Sequence, residues 1–261
     1  MKGLVILFLT MVLACSEVWA GEMRAVYQPA TPQYFDIYNW MAGNDLLGQY
    51  ANIVDKMFKL PVQVPIVGQQ CNMVNAFYDP NKKMVIVCYE MAESIINAFS
   101  DITDQQQRDM AVRGTLTYIV FHEFGHMLIN LFDLPAVGRE EDSVDQMSAL
   151  VLLKGGMLGE TTVIYSGAFW KKFRPLTNAL SNMSGSRDYA DVHGLDEQRT
   201  YNLWCYAYGH DPSGLQSLVQ QGGLPGGLPQ QRAQGCQYEY QKADRAWGKL
   251  LAPYFEPGVK W

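Results

Sequence analysis

The feature that most constrains this chain is a charged hexapeptide set in an apolar stretch. Phe121-His122-Glu123-Phe124-Gly125-His126 lies within a run from Leu116 to Leu131 that no proline interrupts. Its length and spacing predict a buried helix. Three ionisable side chains in such a helix are costly unless something pairs with them. His122 and His126 are four residues apart, so both imidazoles leave one face, one above the other. Two neutral imidazoles at that spacing can grip a zinc ion at about 2.0–2.1 Å each. Glu123 projects beside such an ion, where a carboxylate can take a proton from an attacking water. Gly125 has no side chain and would let another segment approach the helix between the histidines. Chance produces HExxH in roughly one chain in a hundred of this length. The apolar helical context and the acidic cluster that follows therefore decide in favour of a metal site.

That cluster, Glu140-Glu141-Asp142, opens a second predicted helix from Arg139 to Lys154, closed by Gly155-Gly156. Carboxylates suit a helix N-terminus on electrostatic grounds alone. The spacing says more, because Glu141 and Asp145 stand four apart on one face in an ExxxD pattern. Glu141 reads as the third metal ligand. Asp145 reads as the partner of a ligand histidine's spare ring nitrogen, fixing its tautomer. Glu141 follows His126 by fifteen residues and Asp145 by nineteen, so Asp145 stays in play as the ligand. Glu140 lies about 100° round the helix from Glu141 and is expected to matter least.

The 261 residues, 48% hydrophobic and 18% charged, can bury a full core. A net charge of −6 without a basic patch argues against nucleic acid as a partner. Residues 1–20 read as a signal peptide and 21–261 as a single domain. Lys2 supplies the positive n-region, Gly3 to Ala14 the apolar h-region and Val18-Trp19-Ala20 the cleavage site. The apolar stretch is too short for an integral membrane span. A competing reading takes Val12-Leu13-Ala14-Cys15 as a lipobox that puts a lipid anchor on Cys15. The first route gives a periplasmic or secreted protein, the second a lipoprotein. Of five cysteines, the four beyond Cys15 allow three pairings. Cys71–Cys88 and Cys205–Cys236 are expected because each pair brackets a local unit, and export favours disulfides over free thiols.

Strand patterns occur at Arg24 to Gln28 and Val62 to Val67, with a helix from Asp45 to Leu60 between them. Val74 to Tyr78 and Met84 to Tyr89 form a hairpin about the Asp79-Pro80-Asn81-Lys82 turn. Its first arm is a candidate to receive a substrate backbone by edge pairing. Met91 to Phe99 reads as a helix, and the metal-site helix runs from about Asp104 to Phe132. Further helices are predicted at Thr161 to Leu176, from Asp196 to Trp204 and at Gln237 to Leu251. A polar loop spans Ser181 to Arg187, and a duplicated GGLP makes a flexible loop from Gly222 to Pro229.

With His122-Glu123-xx-His126 followed by Glu141-xxx-Asp145, the chain resembles the gluzincin type of zinc metallopeptidase. It is more similar still to a bacterial family of metallopeptidase character to which no substrate is assigned. The segments that carry this likeness are NAFYDP (Asn75 to Pro80), CYE (Cys88 to Glu90), FHEFGH, GREEDSVDQ (Gly138 to Gln146), HGLDEQR (His193 to Arg199) and RAQGCQYEY (Arg232 to Tyr240). The resemblance implies an α+β, zincin-like fold, with a small hairpin or sheet packed on a mostly helical domain. It also implies zinc held by His122, His126 and an acidic residue.

A zinc peptidase also needs a group to stabilise the oxyanion. His193, in a polar segment, is the candidate, with a turn histidine as the plain alternative. Arg199 reads as one half of a structural ion pair and His210 as a loop residue. The function that follows is zinc-dependent cleavage of a peptide or protein substrate, with Glu123 as general base. One alternative is a catalytically silent, zinc-stabilised binding protein. Another is a zinc amidase acting on cell-wall material.

Overall fold

The computed structural model describes residues 21–181, 192–219 and 227–261. The signal-peptide and lipobox readings, the polar loop beyond Ser181 and the first GGLP copy lie outside these residues. The architecture is α+β, mostly helical with one four-stranded mixed sheet. In chain order come β1 (Met23–Tyr27), α1 (Phe35–Gly43), α2 (Leu46–Met57) and β2 (Val64–Gln69). The hairpin β3 (Ala76–Asp79) and β4 (Met84–Cys88) leads into α3 (Tyr89–Ala98). The helix that carries HExxH, α4 (Gln105–Phe132), is followed by α5 (Glu140–Leu153), α6 (Met157–Ser181) and α7 (Asp196–His210). A single turn, α8 (Gln216–Val219), precedes the last long helix, α9 (Gln230–Leu251). No helix among the described residues is long and apolar enough to cross a membrane.

The sheet has the order β1-β2-β4-β3. β1, β2 and β4 are parallel neighbours, while β3 turns back antiparallel to β4 on the outer edge. Val64, Ile66, Val85 and Val87 are fully buried, which is why these short β-branched runs form strands. The edge position of β3 matters for the site. Phe77 is opposite Ile86, and the Cys88 N–H donates to the Asn75 carbonyl. In an antiparallel pair the bonded residues alternate, so Ala76 and Tyr78 turn their backbone groups away from β4.

Helix α4 runs through the core between the sheet and the later helices, and its middle is buried on nearly every side. Asp104 caps its start by accepting from the Gln107 N–H at 2.7 Å. Asp133, with φ 49°, ends it in the left-handed conformation. Gly125 is a point of close approach. A Cβ there would stand 2.7 Å from the Val144 Cβ on α5, so the expected passage of a second segment is met by α5. Disulfides join Cys71 to Cys88 and Cys205 to Cys236, the two pairings expected. Closing loops of 17 and 31 residues restrains the unfolded chain by roughly 3–4 kcal/mol each.

Several elements differ from the sequence reading; α7, for one, runs on to His210, and the short α8 was not anticipated. Helix α1 was not anticipated, because its central Trp40 and Asn39 are not arranged in a clear apolar stripe and only Met41 is fully buried. α6 starts at Met157 and α9 at Gln230, each several residues early. Their first turns are largely exposed (Met157 is 82% exposed), so they lack the core-facing periodicity that betrays a helix.

Candidate metal centre

Helices α4 and α5 lie against each other in opposite directions. One turn forward on α4 therefore meets one turn back on α5, which decides which carboxylate each histidine receives. His122 faces Asp145, with Nδ1 2.7 Å from Oδ1. His126, one turn on, faces the start of α5, with Nδ1 2.7 Å from Glu140 Oε1. An ionised carboxylate only accepts, so in both rings Nδ1–H donates and Nε2 is left as the outward nitrogen.

Both outward nitrogens converge on Glu141. Its Oε2 lies 3.0 Å from Nε2 of His122 and 3.3 Å from Nε2 of His126. His193, just before α7, brings its own Nε2 to 3.0 Å from the same oxygen. The ligand atoms of His122, Glu141 and His193 all fall within 4.8 Å of one another. A neutral imidazole whose Nδ1 carries the proton presents a lone pair at Nε2. Facing a carboxylate oxygen at 3.0 Å, that lone pair needs a second proton on the ring or a cation between the two. Imidazoles and a carboxylate form a donor set suited to a divalent transition metal. The cluster can hold a metal ion.

The electrostatics run the same way. Burial works against a charged His122, but Asp145, Glu141 and Glu123 outweigh it and raise the ring to about 9. Burial opposes ionisation of Glu141 too, yet the three histidines hold its carboxyl far below the usual range. These groups favour positive charge between them.

Glu123 is 6% exposed beside the two helix histidines. Burial raises its carboxyl above the usual range, against the pull of His122 and His126 and a hydrogen bond from the Tyr78 backbone N–H. That N–H is one of the outward-turned groups of β3, so the edge strand and the acid are tied together. A cleft of about 850 Å³ opens over them, lined by Asn75, Tyr78, Asn130, Arg139, Val192 and the site residues themselves.

Behind His122 is a buried network. Arg199 on α7 clamps Asp145 through Nε and Nη2, both at 2.7 Å. Tyr118 donates to Asp145 Oδ1 at 2.6 Å. The Arg199 guanidinium stands 3.6 Å over the Trp170 ring. Burial works against the Asp145 charge, but Arg199 and then His122 hold the carboxyl well below its usual range.

The structure brings His122, His126, Glu141 and Asp145 together, with Glu141 facing the Nε2 atoms of both rings and Asp145 facing Nδ1 of His122; the group whose ligand atoms all lie within 4.8 Å, however, contains His193 and not His126. Arg199 is the ion-pair residue anticipated. Glu140 has a partner that the sequence reading did not name: it meets His126, because the antiparallel helices put that histidine opposite the first turn of α5. His210 is the last residue of α7 rather than a loop residue, and its Nδ1 lies 3.0 Å from Glu160 Oε1 on α6. Tyr118 was missed, although its place four residues before His122 puts it on the ligand face. The Tyr78 N–H carried no signal, since a backbone group's direction depends on strand register.

No curated protein and no solved structure matches the chain. A family model described as "Putative metallopeptidase", a domain of unknown function, matches residues 27–251; that span takes in every residue of the centre, and the chain belongs to this family.

Proposed function

We propose that the chain is an exported, zinc-dependent peptidase of zincin-like design, in which His122, His126 and Glu141 hold the metal and Glu123 acts as general base. The observation that carries this reading is the placement of Glu123. It is a buried carboxylate beside both helix histidines, on the floor of a cleft with an open strand edge. A purely structural ion has no need of an acid there. Bound in this cluster, zinc would supply Lewis-acid chemistry to a water and to the substrate carbonyl. Glu123 takes the proton from the attacking water and passes it to the leaving amine. The outward backbone groups of Ala76 and Tyr78 pair with an extended peptide. His193, which lines the same cleft, donates to the developing oxyanion. Asp145 and Glu140 hold the two ligand rings in register. Removal of residues 1–20, or a lipid on Cys15, would accompany export, and two disulfides suit an oxidising compartment.

A second reading has one observation in its favour. Three imidazoles and a carboxylate directed at one point resemble a closed structural site, which fits a catalytically silent binding protein. Glu123→Gln separates the two. On the peptidase reading this variant keeps its metal and fold and loses hydrolysis of a mixed peptide library by roughly 10²-fold or more. Unchanged cleavage in the variant, or no cleavage by the wild type, counts against it.

A further inference from the structure

Resting on the metal reading above, we propose that His193 is a fourth protein ligand of the resting centre and the one that an incoming substrate displaces. Glu141 Oε2 is approached by Nε2 of His122, His126 and His193 at 3.0, 3.3 and 3.0 Å. His122 and His126 each commit their Nδ1 proton to another carboxylate, so as neutral rings they turn lone pairs, and not donors, toward the Glu141 oxygen. Metal bonds of about 2.0–2.1 Å in a tetrahedral site put neighbouring donor atoms roughly 3.3–3.4 Å apart. The His122 and His193 spacings to Glu141 are close to edges of such a tetrahedron, and the ligand atoms of these three residues all lie within 4.8 Å of one another, a group that leaves His126 outside. His193 therefore stands where a fourth donor stands.

The three histidines differ in the element that carries them and in their exposure. His122 and His126 belong to the interior of α4, and each has its Nδ1 fixed by a carboxylate. Their side chains are 5% and 16% exposed. The His193 side chain is 41% exposed, on a short non-helical stretch that leads into α7. Its ring lies roughly parallel to that of His122, with centroids 6.1 Å apart, so it leaves the cluster by moving into the cleft and not through the core. His193 is the most exposed of the three and the one outside a helix. In place it closes the centre to substrate. Released, it stays on the cleft wall, where an imidazole N–H can serve an oxyanion. The same residue thus accounts for the closed look of the cluster and for its fitness for hydrolysis.

Zinc-edge X-ray absorption on the full zinc-loaded protein tests this by counting imidazole ligands, first alone and then with acetohydroxamate as a metal-binding competitor. The expected count is three imidazoles alone and two with acetohydroxamate. His193→Ala should show two in both conditions. In a chelator titration it should bind zinc more weakly than wild type by more than the about 10–100-fold typical of losing a group that only orients a ligand, with an unchanged circular dichroism spectrum. Two imidazoles in the untreated wild type overturn the proposal while leaving the three-ligand centre standing. Three imidazoles that persist with acetohydroxamate overturn the displacement and favour the silent, closed site. A wild type that binds no zinc overturns the metal reading itself, and with it this inference.

Discussion

His122 and His126 stand one turn apart on the same helix, yet they face different surroundings. His122 backs onto Asp145, which is held in turn by Arg199 and Tyr118 in a network closed to solvent. His126 backs onto Glu140, whose side chain is 50% exposed, and the neighbouring His193 is nearly as open. One half of the centre is desolvated and closely hydrogen-bonded, and the other borders the cleft. In a low-dielectric interior a fully satisfied polar network fixes geometry, while the loss of one member is expensive. Exposed ion pairs are screened and contribute little. The comparison teaches that the buried half sets where a metal would sit, and the open half sets what reaches it.

The sharpest test of that division is metal retention. Glu141→Ala should empty the site in a chelator titration, because it removes the carboxylate on which all three imidazoles converge. Asp145→Asn should weaken zinc by about 10–100-fold, and Glu140→Gln by no more than the lower end of that range. If Asp145→Asn empties the site and Glu141→Ala does not, the roles are reversed and the nineteen-residue spacing marks the ligand. Next in size is stability without metal. Asp145→Ala leaves the Arg199 guanidinium buried without its carboxylate and should cost about 3–5 kcal/mol in denaturant unfolding. Glu140→Ala should stay within about 1 kcal/mol. Equal costs would break the comparison.

A smaller effect lies in the pH dependence. The Asp145 carboxyl is held below its ordinary value by Arg199 and His122 against the cost of burial. A depressed acid contributes its full stability above its unfolded value of about 3.9 and loses it as pH falls toward the folded one. The metal-free stability gap between wild type and Asp145→Asn should therefore not shrink from pH 7 to pH 5, where the loss of Asp145's pull on the raised His122 widens it, and should shrink below about pH 4. Urea unfolding at three pH values measures it, and a gap that already shrinks between pH 7 and 5 would point to another group.

The parts of this centre legible in the sequence are those set by local spacing. His122 and His126 share a face because they are four apart, and so do Glu141 and Asp145. Gly125 announced the helix crossing, and Asp104 and the hairpin turn marked their own element ends. What spacing could not show was the antiparallel alignment of α4 with α5, and that alignment is what gave Glu140 to His126. The bond from Arg199 to Asp145 spans 54 residues, and no local pattern encodes such a meeting. The direction of the Tyr78 N–H depends on strand pairing, which is likewise non-local. The early starts of α6 and α9 escaped notice because their first turns face solvent.

The central claim is that HExxH and Glu141 make a metal-binding centre, and metal analysis of the purified protein tests it most directly. Protein from zinc-replete cells should carry about one zinc per chain, and His122→Ala and His126→Ala should each carry none. Wild-type protein without bound metal, or histidine variants that retain it in full, would contradict the account.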